Sequence, residues 1–136
     1  MKYFYLIPMG GLCDIITKIY QALQYCIKYD RILYIDTRYS AYNYNIFEFI
    51  TFNHEKIIQD FDYFKQLNLK NLSIYPPELN NEFQNILNKN INISYIPPKD
   101  YLCNNIKLKF PVNDIIQDII IFCNHGGSKK IFKYFN

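Results

Sequence analysis

A chain of 136 residues, half of them hydrophobic and a fifth charged, has the size and composition of one folded domain and not of a disordered segment. The net charge of +3 comes from interspersed signs, with Lys129-Lys130 the densest basic cluster, so the basic stripe of a dedicated nucleic-acid binder is missing. No run reaches the ~18 apolar residues of a membrane span, and the first residues lack the basic, apolar and small-residue order of a secretory signal.

In chain order, "YFYLIP" (3–8) predicts a short buried strand ending at Pro8. "MGGLCD" follows, and adjacent glycines let the backbone take positive φ or approach another group closely. From Asp14 to Tyr29 the apolar residues Ile15, Ile16, Ile19, Tyr20, Leu23, Cys26 and Ile27 recur at three and four, one face of a helix. Asp14 stands where an N-cap or first-turn acid would satisfy free amides and favour the dipole. "RILYID" (31–36) is the next strand, closed by Asp36. Strand, glycine turn, helix and strand within about 36 residues make a βαβ unit, and hence a parallel sheet.

"TRYSAYNYN" then reads as a polar, tyrosine-rich loop, and "IFEFITF" fits either a short helix or a strand. "FDYFKQLNL" predicts a helix, "LSIYPP" a brief strand stopped by two prolines, and "ELNNEFQNILNKN" an amphipathic helix through Leu79, Phe83, Ile86 and Leu87. Residues 92–111 are irregular, broken at Pro97-Pro98 and Pro111. A strongly apolar strand over Ile116–Cys123 runs into a second Gly-Gly, and "SKKIFKYFN" has the look of a starting helix. The expected fold is a single Rossmann-like α/β domain over 1–136, with a mainly parallel sheet and helices on both faces.

Two strands thus end in a Gly-Gly turn before a helix, and in an open α/β sheet ligands bind at the carboxyl edge. The amides that follow Gly10-Gly11 and Gly126-Gly127 can meet an anion there; equally, both can be plain strand-to-helix turns. Gly11 is the position expected to need positive φ, so that Gly11→Val would harm the fold more than Asp14→Asn. Neither the G-x-G-x-x-G fingerprint nor the G-x-x-x-x-G-K-[ST] loop is present, although Asp36 falls near the place of a ribose-binding acid. His125, beside Gly126-Gly127, has the chemistry of a base or an oxyanion donor, with a structural loop histidine as the alternative. His54 reads as a surface residue. Arg38, Tyr39, Tyr42 and Tyr44 can stack on a sugar or base and offer a guanidinium to a phosphate, or simply cover the sheet edge. Cys123 near His125 is more consistent with core than with a nucleophile, and nothing completes a metal site around Asp60 and Asp62. Cys13, Cys26, Cys103 and Cys123 are scattered with no CxxC pair, which reads as reduced thiols in a cytoplasmic protein.

The opening strand, "GGLCDIITKIYQALQYCIKYDRILYID", the Ser/Tyr loop and "IFEFITF" together resemble the amino-terminal part of fucosyltransferase-like glycosyltransferases, the α-1,2 and nodulation types. "YPPEL" and "IIIFCNHGGS" fit the same half more loosely, and the Asn-, Ile-, Lys- and Tyr-rich composition is similar to versions from large DNA viruses or AT-rich bacteria. The resemblance implies one half of a GT-B fold, the acceptor-side domain, acting on a glycan with a nucleotide-sugar donor. It implies neither metal nor cofactor, and no membrane span. By position Gly10, Gly11, Leu12 and Asp14 match the family turn and would line the cleft between domains. The chain has Cys13-Asp14 for the family's Gly-Asn, and lacks the His-x-Arg-Arg type donor motif. A second domain or partner chain would supply the donor site. His125 and Asp14 are the candidate catalytic bases; Gly10, Gly11, Leu12, Arg38, Gly126 and Gly127 the candidate substrate-binding residues. The alternative is a non-catalytic Rossmann-like module binding a nucleotide or a protein partner; a small nucleotide-dependent enzyme outside sugar transfer is a third reading.

Overall fold

The structure is a computed structural model that describes residues 1–40, 45–60, 62–67, 71–90 and 115–123. Five strands, β1 (Tyr3–Ile7), β2 (Ile32–Ile35), β3 (Ile57–Ile58), β4 (Ile74–Tyr75) and β5 (Ile119–Cys123), form one sheet in the order β3-β2-β1-β5-β4. Every pairing is parallel, with Tyr3 level with both Ile32 and Ile119, and Ile7 level with Cys123. The expected α/β class with a parallel sheet is therefore what forms. β1 is central and all five of its residues are buried, as are those of β5, because a parallel sheet is covered on both faces.

The two-residue period of a strand divides this apolar content between two layers. Phe4, Leu6, Leu33, Ile35, Ile120 and Phe122 face the long helix α1 (Leu12–Tyr29), which meets them through Ile15, Ile19, Ala22 and Cys26. Tyr3, Tyr5, Ile7, Tyr34, Ile119, Ile121 and Cys123 face the other way. There they pack on Phe64 of α2 (Asp62–Gln66) and on Phe83, Ile86 and Leu87 of α3 (Phe83–Leu87). Aromatic rings dominate that second layer: Tyr5 meets Phe83 edge-on at 5.1 Å between centroids, and Tyr34 meets Phe64 at 5.0 Å. Burial of the Cys26 thiol against β2 pushes its pKa up to about 12, so it is an inert core residue.

The amino edge of the sheet is closed by one buried cation. Arg31, fully buried just before β2, donates to the carbonyls of Tyr3 at 3.1 Å, Asp118 at 3.3 Å and Gln117 at 3.0 Å, and also to that of Ile115. One guanidinium fork thereby satisfies carbonyls from β1 and from the segment entering β5. Lys18 on α1 is fully buried as well, and its ammonium donates to Gln21 Oε1 at 3.4 Å.

Several boundaries differ from the expected ones. The helix starts at Leu12, not Asp14, because Gly11 at φ −74° and ψ 176° serves as the N-cap and Asp14 falls in the third position. Residues 46–52 make neither a regular helix nor a strand: a 3-10 turn over Ile46–Glu48 is followed by a turn at Phe49 and irregular chain. Strand β3 was not expected, since two residues hold no periodicity. The expected helix over 78–90 is split into a 3-10 turn at Pro77–Leu79 and the short α3, with Asn80 and Asn81, poor helix formers, between them. β5 begins at Ile119; Ile116 is 87% exposed, outside the ladder. The irregular segment 92–111 and the helix expected after residue 128 lie outside the described residues.

Candidate ligand edge

Because every strand is parallel, the carboxyl ends of β1, β2 and β5 lie on one edge. The register sets Ile7 beside Cys123, so the chain leaves β1 and β5 side by side. His125, Gly126 and Gly127, which follow Cys123, lie outside the described residues, as do Tyr42, Tyr44 and Cys103.

The turn after β1 has a definite construction. Gly10 adopts φ +103°, a conformation that L side chains rarely take, and a Cβ there would stand 2.7 Å from Asp14 Oδ2. Gly11 has an ordinary φ, and a Cβ on it would meet nothing within 4 Å. The expected requirement for positive φ therefore falls on Gly10 and not on Gly11. The Asp14 carboxylate turns back to accept the Gly11 amide at 3.2 Å, and its charge sits at the positive end of α1. Leu12 and Cys13, both exposed residues, begin the helix. As first-turn residues, their amides have no intrahelical acceptor.

After β2 the chain forms a second polar cluster. Asp36, 1% exposed, accepts the Tyr5 hydroxyl at 2.6 Å on Oδ2. Arg38 grips the same carboxylate from two nitrogens, Nε to Oδ1 and a terminal nitrogen to Oδ2, each at 2.9 Å, and its amide adds a third contact at 3.1 Å. This two-pronged pairing is the strong form of a charge-assisted bond. Arg38 also reaches the Ile86 carbonyl at 3.3 Å, and the Tyr39 hydroxyl donates to the same oxygen at 2.6 Å. Both side chains thereby cover a carbonyl in the last turn of α3, where a cation is favoured. The buried carboxylate also sets the phenols. Burial first, and then the charge of Asp36, hold Tyr5 and Tyr34 protonated well above the usual phenol range and raise Tyr39 to about 12; for Tyr5 the hydrogen bond to Asp36 adds to this. For Arg38, the Asp36 bond and charge outweigh burial and keep the guanidinium charged.

The edge thus brings together four of the sequence-identified residues, Gly10, Gly11, Leu12 and Asp14, in one turn, with Arg38 at the neighbouring strand end. Asp36, a candidate ribose ligand from its position, is instead surrounded by Tyr5 and Arg38. The only trace of that network in the sequence is an acid at a strand end with arginine two residues on; the Tyr5 partner is 31 residues away. His54, expected on the surface, is half-buried, and its Nδ1 accepts the Lys56 amide at 3.1 Å. Asp60 accepts the Asp62 amide at 3.0 Å on Oδ1, and among the described residues no cluster of metal-ligating side chains occurs. Cys123 is a buried free thiol in β5 and Cys13 an exposed one. No described helix is long and apolar enough to cross a membrane. Compared with known proteins, the chain matches no family model, no curated protein and no solved structure.

Proposed function

We propose that this domain binds a ligand across the carboxyl ends of β1, β2 and β5, and that it is the acceptor-side half of a glycosyltransferase-like enzyme. The supporting observation is the left-handed Gly10 turn at the end of the central strand, which leads into the exposed first turn of α1. Arg38 is already committed to Asp36 and the Ile86 carbonyl, so the described part of this edge offers no guanidinium aimed outward at a diphosphate. Charge stabilisation of a departing nucleoside diphosphate is therefore assigned to a second, facing unit. In such an assembly a base, His125 or Asp14, would take the proton of an acceptor hydroxyl as that oxygen attacks the anomeric carbon and the diphosphate leaves.

Titration of the isotope-labelled chain with GDP-fucose tests this reading. Amide signals of Gly10 to Cys13 should shift, while GDP release stays at the buffer background. Clear multiple turnover by the chain alone, or unmoved Gly10 to Cys13 signals, overturns it.

A second reading, a module that binds a protein partner, rests on the outer side of α1. Leu12, Ile16, Tyr20 and Ile27 are between 44% and 59% exposed, and at about 100° per residue they fall within a quarter-turn of one another. Concentration-dependent light scattering distinguishes self-association through this stripe from ligand binding alone.

A further inference from the structure

Beside the amino end of β4 lies an open cavity of about 540 Å³, within the ~300–1,000 Å³ typical of small-molecule sites. Leu72, Ser73, Ile74 and Phe83 contribute to its lining along with Asn80, Asn81 and Gln84, and among the described residues no lining side chain is ionisable. Ile74 and Phe83 are buried core residues, so the floor is firm and apolar. Ser73 is not available, since its amide and hydroxyl both donate to Asp118 Oδ2, at 2.9 and 3.0 Å. That carboxylate disfavours anions nearby. By contrast Asn80, Asn81 and Gln84 are exposed, and their carboxamides make no hydrogen bond among the described residues.

We propose that this cavity binds a neutral, hydroxyl-rich ligand, a saccharide, through the carboxamides of Asn80, Asn81 and Gln84 above the apolar floor of Leu72, Ile74 and Phe83. A carboxamide presents a donor and an acceptor side by side, and a sugar hydroxyl is both at once, so each amide can serve adjacent hydroxyls. The apolar floor suits the C–H face of a pyranose ring. An extended peptide fits less well, because strand addition needs an edge to pair with and β4 is only two residues long. The site lies beside the amino end of β4, apart from the carboxyl ends of the strands.

Lactose is the probe, followed by the side-chain NH₂ signals of the three carboxamides in the isotope-labelled chain. Binding near 10 mM, about 3 kcal/mol by the affinity relation, is expected to shift these signals and the backbone of Ser73 and Ile74. The double variant Asn81→Ala/Gln84→Ala removes only exposed, unbonded side chains and should melt with the parent, yet bind lactose about tenfold more weakly. Inorganic phosphate should leave the same signals in place. Unmoved carboxamide signals, equal affinity in the double variant, or an equal response to phosphate would each overturn the proposal. GDP-fucose is followed at Gly10 to Cys13, so failure at one site is separable from failure at the other.

Discussion

Gly10 and Gly11 are adjacent and chemically identical, yet only one is indispensable to the turn. Gly10→Ala places a methyl 2.7 Å from Asp14 Oδ2 at φ +103°, and should cost about 1–3 kcal/mol of stability. Gly11→Ala, in open space at φ −74°, should stay within about 0.5 kcal/mol of the parent. Urea unfolding of the two variants checks the contrast, and equal losses would contradict it. The Asp36 cluster permits a graded comparison. Tyr5→Phe removes one hydroxyl bond to a carboxylate, about 1.5 kcal/mol. Asp36→Asn strips the partly buried Arg38 of its counter-charge and should cost more, roughly 2–3 kcal/mol, less than a fully buried pair because Arg38 is still partly in contact with water. Equal destabilisation by the two changes would mean that the fork on Arg38 contributes little.

Among the elements, α1 serves both the edge and the core: its start shapes the ligand turn, and its inner face fills one layer of the core. Its end is less well made. Asp30 closes the helix at φ +54°, a left-handed position where glycine is preferred; its amide donates to the Cys26 carbonyl, and its carboxylate pairs at the surface with Lys56 at 2.5 Å. The Lys56 bond and charge hold the Asp30 carboxyl below its usual range, so that interaction is present above about pH 4 and lost on acidification. A surface pair contributes little, whereas relief of left-handed strain is worth about 0.5–1 kcal/mol, so Asp30→Gly should raise the melting temperature at neutral pH. A lower melting temperature would show that the ion pair outweighs the backbone term. The split of the expected 78–90 helix has a similar local origin. Pro76-Pro77 start a 3-10 turn, Asn80 and Asn81 interrupt it, and only Phe83–Leu87 has enough burial to hold a helix.

For the whole molecule, the tyrosine-rich layer predicts an alkaline limit to stability. Tyr3 and Tyr39 have pKa values raised to about 12, and Tyr5 and Tyr34 are raised further in the same direction, mainly by burial. Their folded values lie above the unfolded value near 10, so the protonated native state is favoured. This contribution is complete below about pH 10 and is lost as the pH rises through about 12 and beyond. Phenolate absorbance followed alongside circular dichroism should therefore show a group of tyrosines that ionise together with unfolding. Smooth ionisation of every tyrosine near pH 10 with the fold intact would refute the packing described for this layer.

The first 36 residues were legible because their information is local. Apolar residues at three and four around Ile15 to Ile27, and continuous apolar runs at Phe4 and Leu33, declare helix and strands, and the one crossover helix between the strands returns the chain to its starting edge, which makes them parallel. The same patterns carried the α/β class and the presence of a strand ending at Cys123. Tertiary structure decided what pairing and packing across the chain must decide: that β5 inserts beside β1, that two residues at Ile57 complete an edge, and that Asp36 belongs to Tyr5 and Arg38 and not to a ribose. It also chose Gly10 over Gly11, since a backbone angle depends on where Asp14 folds back. Arg31 gathers carbonyls from chain segments more than 80 residues apart. No window of sequence contains those partners, because a buried charge is satisfied by whatever the completed fold brings within hydrogen-bond reach.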